Sequence, residues 1–307
     1  MAACDTTSKV SFDDTYRNSV SSEPTELMPL LLNGFTDHTI NTGEIEIGYS
    51  VGPNNGPTLL LLHGVTSRRD GFLRVIDELL NDYHVITMDQ RGHGFSGHAS
   101  GAYEREDHAR DIRYVMENVC KEPTIVWGHS MGGGNTVAMA NNPPSNLKAV
   151  VLEDPAVFGR VRPARANSSP TMSGFQLHLN FIEAGMSIEE MAPKLQEATP
   201  NQPEYFSKWK AECLLQMDAD ILRGVVGGTY KGFDDPAAML ANIQVPVILL
   251  QADPDAGGIL PDDYLAGILP NSDSFTSQKI VGAGHNINRE YPEKMLPVVL
   301  PWLAAHA

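Results

Sequence analysis

Strand-like runs at residues 57–62, 83–88, 124–127, 147–152, 245–250 and 275–281 are separated by stretches whose apolar positions recur every three or four residues. Residues 69–80 put Phe72, Leu73, Ile76, Leu79 and Leu80 on one helical face, residues 104–120 do the same with Ile112, Val115, Met116 and Val119, and residues 292–305 with Met295, Leu296, Val299 and Trp302. Strands alternating with amphipathic helices predict an α/β protein with a mostly parallel, doubly wound sheet. Ahead of this series, residues 36–41 and 44–51 alternate about Gly43 as a hairpin.

The pattern fails in two places. Residues 1–33 are rich in Ser, Thr, Asp and Glu without periodicity, which predicts a disordered or loosely docked tail, with the apolar patch at 27–32 pinning its end. Residues 156–236 contain no strand-like run and read as helical at 187–197 and 203–217, too long a span for a plain loop. The expected organisation is a core from residues 34–155 and 237–307 with a helical insertion at 156–236.

One pentapeptide carries most of the chemistry. Gly128-His129-Ser130-Met131-Gly132 follows the apolar run at 124–127 and precedes the small residues 133–139. This is the pattern of a nucleophile elbow, in which a tight strand-to-helix turn presents a serine hydroxyl and the flanking glycines let backbone pass closely. A serine hydroxyl is a weak nucleophile at neutral pH, so it needs an adjacent base. His285, in the turn Gly282-Ala283-Gly284-His285 after the last strand-like run, is the candidate. Gly132-Gly133-Gly134 has no following Lys-Ser/Thr, so a phosphate loop is the poorer reading.

With the His63-Gly64 turn and the Gly-rich loop 89–96, these residues resemble the α/β-hydrolase superfamily from about residue 34 onward. Around Leu152-Glu153-Asp154-Pro155 the chain is similar to the serine ester and lactone hydrolases that include zearalenone lactonases. The resemblance implies the order Ser, acid, His and an insertion serving as a cap. It leaves two acids open. Asp255 follows the run at 245–250, the commoner family position, whereas Asp154 ends the run at 147–152, as in zearalenone lactonases; Asp253 and Glu153 stand beside them. Oxyanion donors would be the backbone N–H groups of Val65 and Met131.

Within the insertion Phe175, Phe181, Met172, Met186, Met191, Trp209 and Met217 are candidates for packing or for an apolar pocket, with Trp209 and Met191 the expected pocket residues. A net charge of −16 without a basic stripe excludes a nucleic-acid partner, since Arg68-Arg69 and residues 160–165 are short. No stretch approaches the roughly 20 apolar residues of a membrane span, and Cys4, Cys120 and Cys213 have neither disulfide nor metal spacing. The expectation is a cytoplasmic serine hydrolase of apolar small-molecule esters or lactones, acting without metal or organic cofactor. A C–C bond hydrolase or cofactor-free lyase on the same fold, and a hydrolase-like small-molecule receptor, are the alternatives; oligomeric state stays open.

Overall fold

The computed structural model describes residues 32, 34–158, 170–200, 202–230 and 232–307. The expected tail at 1–33 therefore lies outside the described residues except for Leu32, which is buried against the core, and residues 160–165 lie outside them too.

Eight strands form one sheet in the order β1-β2-β4-β3-β5-β6-β7-β8. They are β1 (Thr36–Asn41), β2 (Glu46–Val51), β3 (Thr58–Leu62), β4 (His84–Met88), β5 (Thr124–His129), β6 (Leu147–Glu153), β7 (Val247–Ala252) and β8 (Phe275–Ile280). The β1–β2 hairpin joins β4 antiparallel, and every pairing from β4 through β8 is parallel. The predicted doubly wound sheet is thus observed.

Helices cover both faces, which is why the central strands are buried at nearly every position and carry mostly apolar runs in place of a polar alternation. Leu59 and Leu61 of β3, with Val85, Ile125, Trp127 and Val151, pack against α1 (Leu73–Leu79). Leu60 and Leu62, with Met88, Val126 and Leu152, face the opposite layer, where α2 (Arg105–Val115) and α3 (Met131–Ala140) lie. Each fully buried leucine is worth about 1.5–3 kcal/mol over exposure, so this two-sided burial holds the sheet between its helix layers. The outer strands β1 and β8 are largely exposed and polar, as befits sheet edges.

Between β6 and β7 the chain forms α4 (Pro170–Glu183), α5 (Ile188–Ala198), α6 (Glu204–Leu215) and α7 (Ala219–Val226), where strand patterning stops. A capping box at Ser187 and Glu190 starts α5. After them come α8 (Pro236–Ala241), α9 (Asp262–Ile268), α10 (Ile287–Glu290) and α11 (Pro292–His306). No helix among the described residues is long and apolar enough to cross a membrane.

Candidate active site

The site forms at the carboxyl ends of β3, β5 and β6, where parallel strands deliver their following residues side by side. In the β5–β6 register His129 is opposite Glu153, so Ser130 and Asp154 are the first residues beyond each strand. Both have positive φ, 54° and 36° respectively, a costly conformation for non-glycine residues. Neighbouring backbone holds them there: Ser130 N–H donates to Glu153 O at 2.9 Å, Ala156 N–H to Ser130 O at 2.9 Å, and Asp154 N–H to Leu250 O at 2.8 Å. Gly128 is required because a Cβ there would stand 2.5 Å from the Gly132 carbonyl oxygen, where α3 turns back over its strand.

His285 arrives from the turn after β8. Its Nε2 lies 2.9 Å from Ser130 Oγ and its Nδ1 2.7 Å from Asp154 Oδ2. The hydroxyl donates to Nε2 while Nδ1–H donates to the carboxylate, which fixes one tautomer. All three side chains are buried. Asp154 is further clamped by Ile259 N–H at 3.0 Å and Ala252 N–H at 3.3 Å. The structure therefore brings Ser130, His285 and Asp154 together.

Asp255 is not with them. It stands exposed on the short turn Pro254–Ala256, where its own N–H donates to Asp253 Oδ1. Gly257, at φ 104°, carries the chain away into a longer loop. Asp253 instead accepts from Gly282 N–H. Glu153 points to the opposite side of the strand end, accepting from Asn288 N–H at 2.7 Å and Trp127 Nε1–H at 3.0 Å, and burial pushes its carboxyl up to about 7.

Met131 is the first residue of α3, so its N–H has no acceptor within the helix and faces the side of Ser130. The His63-Gly64 turn backs directly onto the elbow, since a Cβ on Gly64 would meet Ser130 Cβ at 3.0 Å, and Val65 follows on the cavity wall. Buried bonds hold this turn: Gln90 N–H donates to His63 Nε2, and Asn135 of α3 donates to Gln90 Oε1. Burial pushes His63 down to about 4, so it stays neutral as an acceptor.

A cavity of about 720 Å³ opens over Ser130 and His285. Phe175, Leu177, Leu195 and Phe206 give it an apolar wall, and Lys210, Arg289, His178 and Glu290 give it charge and polarity. Neither Met191 nor Trp209 is a wall residue. Met191 is buried among Phe181, Leu195, Ala211 and Leu214, and Trp209 turns its Nε1–H to Asp70 Oδ1 at 2.9 Å. Helical spacing marks a buried stripe without saying which side of it meets a cavity.

Sequence reasoning missed the polar clamp that positions α6. Arg68 binds Asp70 at 3.0 Å, Glu212 at 3.1 Å and Gln216 at 2.9 Å, and Lys210 Nζ donates to Thr66 O at 2.6 Å. Arg69, the other half of the apparently isolated basic pair, binds Asp89 at 2.8 Å. The only sequence signal was two adjacent arginines in a loop. Among the described residues no group of three His, Cys, Asp or Glu side chains is placed to hold a metal ion.

A family profile described as the alpha/beta hydrolase fold matches residues 57–221. The 2-(acetamidomethylene)succinate hydrolase of Mesorhizobium japonicum is 25% identical over 277 residues, covering 88% of this chain and 96% of that protein. The monoacylglycerol lipase of Mycolicibacterium smegmatis is 27% identical over 283 residues, covering 86% and 95%. Among solved structures, the N-formylmaleamic acid deformylase of Pseudomonas putida S16 superposes with a TM-score of 0.71 at 22% identity, covering 86% of this chain and all of that one.

Proposed function

The chain belongs to the alpha/beta hydrolase fold family, and from that premise we propose that it is a serine hydrolase cleaving a carboxylic ester or lactone through an acyl-enzyme. The observation that carries this reading is the continuous line from Ser130 Oγ to His285 Nε2 at 2.9 Å and from His285 Nδ1 to Asp154 Oδ2 at 2.7 Å. Relatives named as hydrolases and as a lipase support a hydrolytic reaction.

Ser130 Oγ attacks the acyl carbonyl as its proton passes to His285 Nε2, and Asp154 stabilises the imidazolium. The oxyanion is received by the N–H groups of Val65 and Met131, with the positive end of α3 behind it. His285 then protonates the leaving alkoxide, and water repeats the sequence on the acyl-enzyme to release the acid. In a lactone the leaving alkoxide stays tethered to the acyl group, and the product is one hydroxy acid. No step calls on a metal or organic cofactor.

Labelling with a fluorophosphonate followed by peptide mapping tests the assignment. The reading expects label on Ser130 in the parent, none in Ser130→Ala, and at least a 10³-fold loss of ester turnover in that variant with an unchanged melting temperature. Full turnover by Ser130→Ala would overturn it.

A further inference from the structure

The cavity over Ser130 is lined by two basic side chains, Lys210 and Arg289, that form no ion pair among the described residues. Lys210 on α6 is 7% exposed, and among the described residues its ammonium donates only to Thr66, through O at 2.6 Å and Oγ1 at 3.2 Å. An ammonium has three donors, so one remains. Arg289 on α10 makes no side-chain hydrogen bond among the described residues, and its Nε is buried without a partner. Its guanidinium carbon lies 5.1 Å and 5.3 Å from the centroids of the Phe206 and Trp209 rings, and Lys210 Nζ lies 5.2 Å from that same Trp209 ring. Arg68, Arg69 and Arg91, more deeply buried than Arg289, each pair with a carboxylate, and Arg105, which has none, gives its guanidinium to Ala156 O. Arg289 and Lys210 have none within ion-pair distance among the described residues.

Glu290 is the carboxylate on the cavity wall, and it accepts from Asn286 Nδ2 at 2.9 Å. His178, on the same wall, is pushed by burial down to about 3 and adds no charge. With Lys210 protonated, the described wall has two cations against one anion, one net positive charge beside the reacting serine. Burial and the charge of Arg289 push Lys210 down to about 7, and a bound carboxylate would hold its ammonium charged. Desolvated like charges are costly unless an anion completes the set. The net charge suits a monoanion better than a dianion, and a planar guanidinium with a nearby ammonium suits a carboxylate.

We propose that Arg289 and Lys210 anchor a free carboxylate on the substrate, so that Ser130 acts on an ester or lactone whose acyl portion carries a second acid group. This rests on Ser130 being the nucleophile. The apolar wall of Phe175, Leu177, Leu195 and Phe206 then packs the chain between the two ends, and the carboxylate orients the scissile carbonyl toward Ser130.

The test compares monomethyl adipate with methyl hexanoate, which share a six-carbon chain and differ in the terminal charge, by methanol release. The parent turns over the acid with a kcat/KM at least about tenfold higher, and Arg289→Gln and Lys210→Met each lower that ratio about tenfold or more, chiefly through KM. Should Arg289→Gln fail to fold, Lys210→Met carries the comparison. A parental ratio near one, or ratios unchanged in the folded variants, overturns the anchor. A second arm measures stabilisation of the Ser130→Ala protein by adipate, adipamide and inorganic phosphate. Adipate alone should raise the melting temperature, and Arg289→Gln in that background should abolish the rise; equal effects of adipate and adipamide, or a response to phosphate only, count against a carboxylate site. Adipate binding with no turnover of either ester and no fluorophosphonate label keeps the anchor and removes the nucleophile assignment, whereas labelling without acid preference does the reverse.

Discussion

Asp154 accepts from three donors at once, His285 Nδ1, Ile259 N–H and Ala252 N–H. An amide there would turn an NH₂ group toward at least one of those donors and could no longer stabilise the imidazolium. Asp154→Asn is therefore expected to lower kcat by about 10⁴-fold. Asp255→Asn, on an exposed turn, should leave kcat within about twofold. Steady-state kinetics on the two purified variants checks both, and the opposite ranking would move the acid to Asp255. Both aspartates were visible in the sequence because each follows a strand ending at the same sheet edge. Choosing between them needed the path of residues 253–258, which leaves Asp255 exposed on its turn while Asp154 accepts from His285 Nδ1. Gly128 shows the same dependence on context. Its neighbours Gly132 and Thr136 close on it in space, so Gly128→Ala should destabilise the fold by about 2–4 kcal/mol in chemical denaturation.

At the scale of elements, the strands were legible because burial on both faces writes continuous apolar runs into the chain. The apolar spacing predicts one helix over 69–80, yet the segment opens with a 3₁₀ turn at Arg69–Phe72 before α1, where Arg69 N–H and guanidinium are both held by Asp89. Segment 104–120 likewise ends its regular helix at Val115 and continues in a wider turn over Met116–Cys120. Within the helical insertion the pattern bounds segments only at 187–197 and 203–217, so the structure alone delimits α4 and α7, while α8, α9 and α10 outside it are too short to develop a periodic face. The placement of α6 depends on the buried Arg68, Asp70 and Glu212 group. Glu212→Ala would leave part of the Arg68 charge uncompensated and is expected to cost about 3 kcal/mol in urea unfolding. Because α6 also carries Lys210 and Phe206 to the cavity, the same variant should raise KM more than it lowers kcat.

Across the whole molecule, the net charge of −16 gives no hint that two basic side chains, Lys210 and Arg289, converge on the cavity over Ser130. Burial pushes Lys210 down to about 7 from its ordinary 10.5, and the charge of Arg289 adds to the effect, while Cys213 and Glu290 oppose it. The unfolded chain keeps that proton up to about pH 10.5 and the folded chain releases it near 7. Unfolding therefore takes up a proton between these values, and stability rises with pH across that window; below about 7 the full cost of burying the ammonium remains. Lys210→Met should accordingly melt higher relative to the parent at pH 6 than at pH 9.5, whatever constant offset follows from losing the Thr66 bonds. Paired melting curves at the two pH values read this difference, and an advantage growing with pH would contradict it.

The sequence by itself determined the layered α/β architecture, the serine at its elbow and the histidine near the end of the chain. These follow from local causes: two-sided burial of strands, and the close backbone approach that only glycine permits around a strained turn. Tertiary structure alone decided which aspartate meets His285, which side of the inserted helices faces the cavity, and that Lys210 and Arg289 stand together above Ser130. Those facts depend on distances between residues far apart along the chain, and no local propensity or periodicity encodes such distances.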